Sequence, residues 1–177
     1  MKLKSMEDLF KMELMDIYSA EKQVLKALPK MSKAAFTPEL KQSFEQHIEE
    51  TQQQIQRIEK IFEQMGEKAK AQTCKGMEGL IEEGQEVLKE AADEKVRDAG
   101  LIGAAQRVEH YEMAAYGCLR TYAKLLGIRE AASLAEKTLE EEKKTDKKLT
   151  ELAERIVNRE AADTSEGQMH QRQRKAA

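Results

Sequence analysis

Six carboxylates and one histidine interrupt apolar patterns in four separate segments of the sequence. Each lies on or beside a stripe of apolar residues at helical spacing. The seven residues are Glu21, His47, Glu50, Glu109, Glu112, Glu142 and Asp146. A lone ionised carboxylate in an apolar core is strongly destabilising, and several together repel one another. Such groups persist in a core when they are protonated, paired with buried cations or bound to a metal ion.

A metal ion is the compensation that these residue types favour. The nearby cations Lys22, Lys26, Arg57 and Lys143 are predicted to face outward, which leaves the acids without a buried cation. Carboxylate oxygens with one imidazole nitrogen suit iron or manganese, and they suit zinc less well. The sequence leaves open whether His47 is itself a ligand or supports one.

Two tyrosines stand one helical turn from predicted ligands, Tyr18 before Glu21 and Tyr116 after Glu112. Either hydroxyl is placed to hydrogen-bond a ligand carboxylate, which is the outer support that metal sites need. Ordinary packing in the core is the alternative for both. His110 is rotated off the apolar stripe, so it is predicted to lie at the surface or to support a ligand.

Four long segments with apolar residues at helical spacing must position these side chains. The segments span residues 5–34, 38–66, 94–126 and 129–159. Thr37 and Pro38 suit the N-cap and the first position of the second helix, and Gly127 suits the end of the third.

The acids also agree in height along the four predicted helices. A rise of ~1.5 Å per residue places one acid of each helix near its middle. These four are Glu21, Glu50, Glu112 and Glu142. Antiparallel pairing then brings them to one level of a bundle.

The connections between the segments determine the predicted topology. Two connections are very short, so the first and second helices, and the third and fourth, are predicted to form antiparallel hairpins. The middle connection, residues 66–93, contains its own helix over residues 77–92, which covers ~24 Å at ~1.5 Å per residue. It can carry the chain back along the bundle, so that the second and third long helices run parallel.

One long crossover between two helical hairpins is the ferritin-like arrangement. The predicted fold is therefore all-α, a ferritin-like four-helix bundle with one long crossover that carries an extra short helix. This domain is expected to span residues 1–160. A polar, disordered C-terminal tail is expected over residues 161–177.

Composition narrows the possible partners. Charged residues make up 36% of the chain, yet the formal net charge is only -3. Such mixed charge is typical of solvated helix surfaces and not of the one-sided basic stripe of a nucleic-acid-binding protein.

The apolar stretches fall far short of the ~20 residues that span a bilayer, and the N-terminus lacks an apolar signal core. We expect a cytoplasmic protein without a membrane or nucleic-acid partner, in which Cys74 and Cys118 are free thiols.

Several phrases of the sequence, in order, resemble the bacterial YciE/YciF stress-protein family. The resemblance covers roughly residues 5–158 and includes DIYSAEKQVLKALPKM, FEQHIEETQQQIQRIEKIF, GMEGLIEEGQEVLKEA, VRDAGLIGAAQRVEHYEMAAYG and LEEEKKTDKKL. It implies a ferritin-like fold related to rubrerythrins, a di-metal centre, a homodimeric assembly and a proposed ferroxidase activity.

The rubrerythrin pattern of ligands is similar but incomplete in this sequence. The resemblance implies five carboxylate ligands, Glu21, Glu50, Glu109, Glu112 and Glu142. Gln53 and Thr145 stand where the pattern has its two histidines. His47 and Asp146, each one turn from a predicted ligand, are placed to substitute for them. The four-cysteine module that supplies electrons in rubrerythrins is absent, so turnover needs an outside reductant.

These features favour a stress-defence protein with two metal ions, for which iron is the leading prediction and manganese or zinc the alternatives. The predicted activity is oxidation of ferrous ion or reduction of peroxide. A non-enzymatic dimeric scaffold or metal buffer is the second hypothesis. A storage cage or DNA-protecting shell is the third, and a dimeric mass would exclude it.

Overall fold

The computed structural model describes residues 2–163, which form a bundle of helices. The five α-helices are α1 (Met6–Ala34), α2 (Pro38–Gln64), α3 (Lys75–Glu90), α4 (Glu94–Leu125) and α5 (Arg129–Leu152). A π-helical turn, Ala153–Val157, continues α5, and residues 158–163 are again α-helical. Residues 161–163 of the predicted tail therefore extend this last helix. Residues 164–177 lie outside the described residues.

Contacts between the helices fix their directions. Arg97 Nε donates to the Ala34 carbonyl, and Tyr111 Oη donates to Asp16 Oδ2, so α1 and α4 run antiparallel. The contacts between α2 and α5 follow the same antiparallel order. Since α1 and α2 form a hairpin, α2 runs parallel to α4, as predicted.

The crossover helix α3 packs against α1 and α4 on the outside of the bundle. Met77 is its one fully buried residue among those described, and Leu80, Ile81 and Leu88 are half-buried against the core. Gly100 of α4 allows this approach, because a Cβ at that position would lie 2.5 Å from Val87 Cγ1.

Local signals account for most of the helix ends. Ser5 and Asp8 form a reciprocal capping box at the start of α1. Gly127 follows α4 with a φ of 74°, which confirms the predicted glycine at that end. Thr37 occupies the N-cap position of α2 and Pro38 begins the helix, as predicted, although the Thr37 side chain makes no capping hydrogen bond.

The turn between α1 and α2 is instead held by a buried acid of α4. Asp98 is 0% exposed, and its carboxylate accepts hydrogen bonds from the backbone N–H groups of Phe36 (2.9 Å) and Thr37 (2.7 Å). Sequence patterns do not reveal this contact, because the partners lie about sixty residues apart. It joins the first hairpin to the beginning of the second.

None of the described helices combines the length and the apolar composition that crossing a membrane requires. Cys74 is buried, Cys118 is exposed, and both are free thiols, as predicted.

We expect Asp98→Ala to lower the free energy of unfolding by about 2–4 kcal/mol, because it leaves two buried N–H groups without acceptors. Urea unfolding, followed by circular dichroism, measures the change. Glu90→Ala, at the exposed end of α3, is the matched control and should change stability little. Equal stability of the two variants would contradict this role of Asp98.

Candidate metal centre

All four helices of the bundle place side chains at one buried level. Glu21 comes from α1, His47 from α2, Glu109 and Glu112 from α4, and Glu142 from α5. None of the five is more than 3% exposed. They lie within stripes of otherwise apolar residues. Because those apolar residues pack into the core, the polar side chains on the same helix face are buried with them.

Four of these residues are close enough to share an ion. One ligand atom each from His47, Glu109, Glu112 and Glu142 lies within 4.8 Å of the others. His47 Nε2 stands 3.6 Å from Glu109 Oε1, which is too long for a good hydrogen bond. Glu21 adjoins this group, since its charge interacts with that of Glu142 and with that of Glu112.

Many of the inward-facing polar atoms have no hydrogen-bond partner. These buried atoms are Glu21 Oε2, both nitrogens of His47, Glu109 Oε2, both carboxylate oxygens of Glu112, and Glu142 Oε2. Buried polar groups in folded proteins are nearly always paired, because an unpaired one is costly. A set of unpaired oxygens with one imidazole is the donor set of iron or manganese, so the residues fit a metal centre.

Two hydrogen bonds orient carboxylates of the cluster. Tyr116 Oη donates a hydrogen bond to Glu21 Oε1. This tyrosine therefore supports a carboxylate of the cluster and is not only a packing residue of the core. Gln54 Nε2 donates to Glu142 Oε1. Both donor residues are buried. Each holds one carboxylate oxygen of Glu21 or Glu142 in place, while the second oxygen of that carboxylate has no hydrogen-bond partner. The Tyr18 hydroxyl donates to Glu59 instead of to a carboxylate of the cluster.

Arg57 was predicted to face outward, and that prediction was wrong. Its side chain is only 10% exposed and forms a two-pronged ion pair with Glu141, with Nη2 2.8 Å from Oε1. Nη1 also donates to Thr138 Oγ1 at 3.1 Å. The long stem of arginine lets the guanidinium reach α5 through the helix interface, which a stripe pattern does not reveal.

The pKa values of the cluster reflect burial. Removal from water, reinforced by the neighbouring carboxylates, raises the pKa values of Glu21, Glu109 and Glu112 well above the ordinary range. Burial also raises the pKa of Glu142, to about 7. It lowers the pKa of His47 to about 4, so this imidazole is neutral at physiological pH.

The other two predicted ligands lie at the edge of the cluster. Glu50 is half-buried, and its Oε2 stands 3.9 Å from His47 Nδ1. Asp146 accepts a hydrogen bond from Gln106 at 3.0 Å and lies 3.4 Å from the exposed imidazole of His110. The group of four that can share an ion includes neither of these carboxylates. Their role as ligands stays a prediction.

The helix register explains why the histidine pattern is incomplete. Gln53, which aligns with a histidine in the rubrerythrin pattern, is exposed. Its neighbour Gln54 is 1% exposed and faces the cluster, with Thr51 one turn before it at 0%. Thr145 is half-buried and donates to the Glu141 carbonyl of its own helix. In this turn of α2 the inward-facing positions are thus Thr51 and Gln54, each one residue beyond the aligned Glu50 and Gln53.

The arrangement of helices matches a known fold. A two-domain protein of Anabaena variabilis, with DJ-1/ThiJ/PfpI-like and ferritin-like domains, aligns with a TM-score of 0.59 at 19% identity, over 88% of this chain and 38% of that one. The fold and the buried cluster together define a ferritin-like helical protein with a candidate metal centre.

Closer relatives identify the family. A family model described as a domain of unknown function (DUF892) matches residues 5–162. Protein YciF of Escherichia coli K12 is 51% identical over 162 residues, which cover 91% of this chain and 98% of YciF. The chain belongs to this YciF family.

Solved structures of relatives agree with this assignment. The crystal structure of the E. coli stress protein YciF has a TM-score of 0.84 at 52% identity, over 88% of this chain and 99% of that one. YcfI of Rhodopseudomonas palustris gives 0.83 at 42% identity, over 84% and 95%.

We expect the metal-free protein to lose stability as pH rises between about 5 and 7. The folded chain keeps protons on its buried carboxyls above the ordinary pKa of 4.5, up to about 7 for Glu142, where the unfolded chain has lost them. His47, with its lowered pKa, opposes this below its ordinary value of 6.5 but is one group against four.

The difference between wild type and Glu142→Gln isolates the carboxyl contribution, because His47 is present in both. Urea unfolding at pH about 5 and about 7.5 should show a smaller loss in the variant. Equal losses in the two proteins would contradict the raised pKa of Glu142.

We also expect Gln54→His and Gln53→His to differ. An imidazole at the buried position adds a nitrogen donor beside Glu142 and should tighten Co²⁺ binding about ten-fold or more, whereas one at the exposed position should change it little. Visible absorption of bound Co²⁺ reports both affinity and nitrogen ligation. Tighter binding by the Gln53 variant would show that the register is wrong.

Proposed function

We propose that the protein is a cytoplasmic di-metal protein of stress defence, with iron as its metal, that oxidises ferrous ion or reduces peroxide. The observation that carries the proposal is the group of buried, unpartnered carboxylate and imidazole atoms supplied by all four helices of the bundle. The description of E. coli YciF as a stress protein supports the physiological setting.

In this proposal, the cluster would supply donors to two ions. His47, Glu109, Glu112 and Glu142 hold the first ion in this proposal. Glu21 adds donors for a second, since its free Oε2 adjoins the charges of Glu112 and Glu142. Glu112 has both oxygens unpartnered, so it would have a donor for each ion.

Bound iron would supply the redox chemistry and the open positions for oxygen or peroxide. The chain's own residues prepare the site for it. Tyr116 and Gln54 hold Glu21 and Glu142 by one oxygen each, which directs the other oxygen toward the cluster. The apolar core around the site excludes bulk water, and it strengthens every electrostatic contact there.

A second function, metal buffering without turnover, is favoured by one observation. Two of the carboxylates are already fixed by hydrogen bonds, which opposes the shifts of coordination that redox cycling of iron uses. A buffer binds the same ions but oxidises them no faster than the metal in free solution.

Anaerobic titration with Fe²⁺ tests the proposal. We expect about two ions per chain for the wild type and at least one fewer for Glu112→Gln, because that carboxylate would have a donor for each ion. Glu49→Gln, which removes an exposed charge from α2, is the control and should bind as the wild type does.

Addition of oxygen or peroxide to the loaded protein separates the two functions. Formation of ferric iron faster than in protein-free solution supports the oxidoreductase, and binding without such acceleration supports the buffer. Wild-type protein that binds no stoichiometric metal would contradict both.

The assembly proposed on the family resemblance is a homodimer. Light scattering or analytical ultracentrifugation should give twice the chain mass of 20.2 kDa. A mass near twelve or twenty-four chains would instead indicate a cage.

A further inference from the structure

A pocket of about 350 Å³ opens from the surface between α2 and α5, beside the buried cluster. The lining residues that bear on its chemistry are Ser43, Gln46, Glu50, Glu141, Lys144 and Lys148. Glu50 links it to the cluster, because this carboxylate lines the pocket and also faces the buried imidazole of His47.

His47 lies between Glu50 and Glu109, with one ring nitrogen toward each carboxylate. Its Nε2 lies 3.6 Å from Glu109 Oε1, and its Nδ1 lies 3.9 Å from Glu50 Oε2. Neither nitrogen has a hydrogen-bond partner, although the residue is only 3% exposed. An imidazole this buried normally pairs at least one nitrogen, so both sides are available for a ligand.

The two distances suit a metal ion better than a hydrogen bond. A nitrogen and an oxygen that each lie ~2.1 Å from one ion are about 3.6–3.9 Å apart when they subtend about 120–135° at it. The inner pair, with Glu109, belongs to the cluster already described. The outer pair, with Glu50, faces the pocket.

The pocket provides polar groups along the way to the outer pair. Ser43 lies one turn before His47, is 5% exposed, and has an unpartnered Oγ. Glu50 Oε1 accepts from Gln46 Nε2 at 2.8 Å, and Gln46 Oε1 accepts from Lys148 Nζ at 2.9 Å. This chain of contacts crosses the mouth between α2 and α5.

The charges at the mouth favour brief occupancy. The negative charge of Glu141 is largely balanced by its ion pair with Arg57. Lys144 and Lys148 oppose a cation, which leaves Glu50 as the attractive charge. One nitrogen, one carboxylate and two nearby lysines make a weak cation site, whereas the inner cluster offers several carboxylates.

We propose that this pocket is the route by which divalent metal ions reach the cluster, and that Glu50 and Nδ1 of His47 form a transit site on it. A neutral imidazole has a free lone pair on one nitrogen at a time, so it binds an ion on one side or the other. In this proposal an ion would first be held by Glu50 and Nδ1 of His47, while Nε2 carries the imidazole proton. Transfer of that proton to Nδ1 as the ion leaves would free Nε2 to bind the ion beside Glu109. The inference rests on the proposed metal centre.

Stopped-flow mixing of the metal-free protein with Co²⁺ tests the route, since Co²⁺ absorbs visibly when bound. We expect Glu50→Gln to slow loading about ten-fold, because it removes the attractive charge at the mouth of the pocket. Glu49→Gln, the exposed neighbour on the same helix, should load at the wild-type rate.

A variant that removes a positive charge should have the opposite effect on the loading rate. Lys144→Gln removes a repelling charge from the mouth and should accelerate loading, whereas Lys143→Gln, on the exposed face beside it, should not. Both effects should shrink at high salt.

The outcomes separate the route from the metal centre. Wild-type loading rates in both Glu50→Gln and Lys144→Gln would overturn the route while leaving the centre intact. Loss of one bound ion in Glu50→Gln would make Glu50 a permanent ligand, which also overturns the transit site. Failure of the wild type to bind Co²⁺ or Fe²⁺ would remove the metal centre itself.

Discussion

The cost of burying ionisable carboxylates shapes the whole centre of this bundle. Glu21, Glu109, Glu112 and Glu142 are removed from water at one level, where each disfavours the ionised form of the others. An apolar core would be more stable than this arrangement. The bundle tolerates it because the helices are long, so well-packed apolar layers lie above and below the acids. A metal ion bound there would replace the protons, and the carboxylates that now repel one another would share its positive charge.

Hydrogen bonds and one ion pair limit how the acids can rearrange. Gln54 and Tyr116 each fix one carboxylate, and Arg57 holds Glu141 on the adjacent face of α5. Glu112 lacks such a partner on either oxygen. Glu21 and Glu142 are therefore held in one orientation by hydrogen bonds, whereas the Glu112 side chain can change its orientation. The difference arises because hydrogen-bond donors lie beside the first two carboxylates and not beside the third.

The two ring nitrogens of His47 face different surroundings. Toward the core it faces Glu109, and toward the pocket it faces the half-buried Glu50. Burial lowers the pKa of His47 and keeps the imidazole neutral, so it can bind a metal ion without first releasing a proton. The pocket between α2 and α5 lies on the Glu50 side of this imidazole.

The sequence by itself determined the helices, the hairpin pairing and the level of the acids, because apolar periodicity and short connections are local properties. Interruptions of the stripes by Glu21, Glu109, Glu112 and Glu142 were visible for the same reason. Only the tertiary structure decided which residue of a neighbouring pair faces inward, as with Gln54 against Gln53, since one residue changes direction by about 100°. It alone placed Arg57 and Asp98, whose partners are distant in the chain, because contacts between helices depend on packing that no single stripe records.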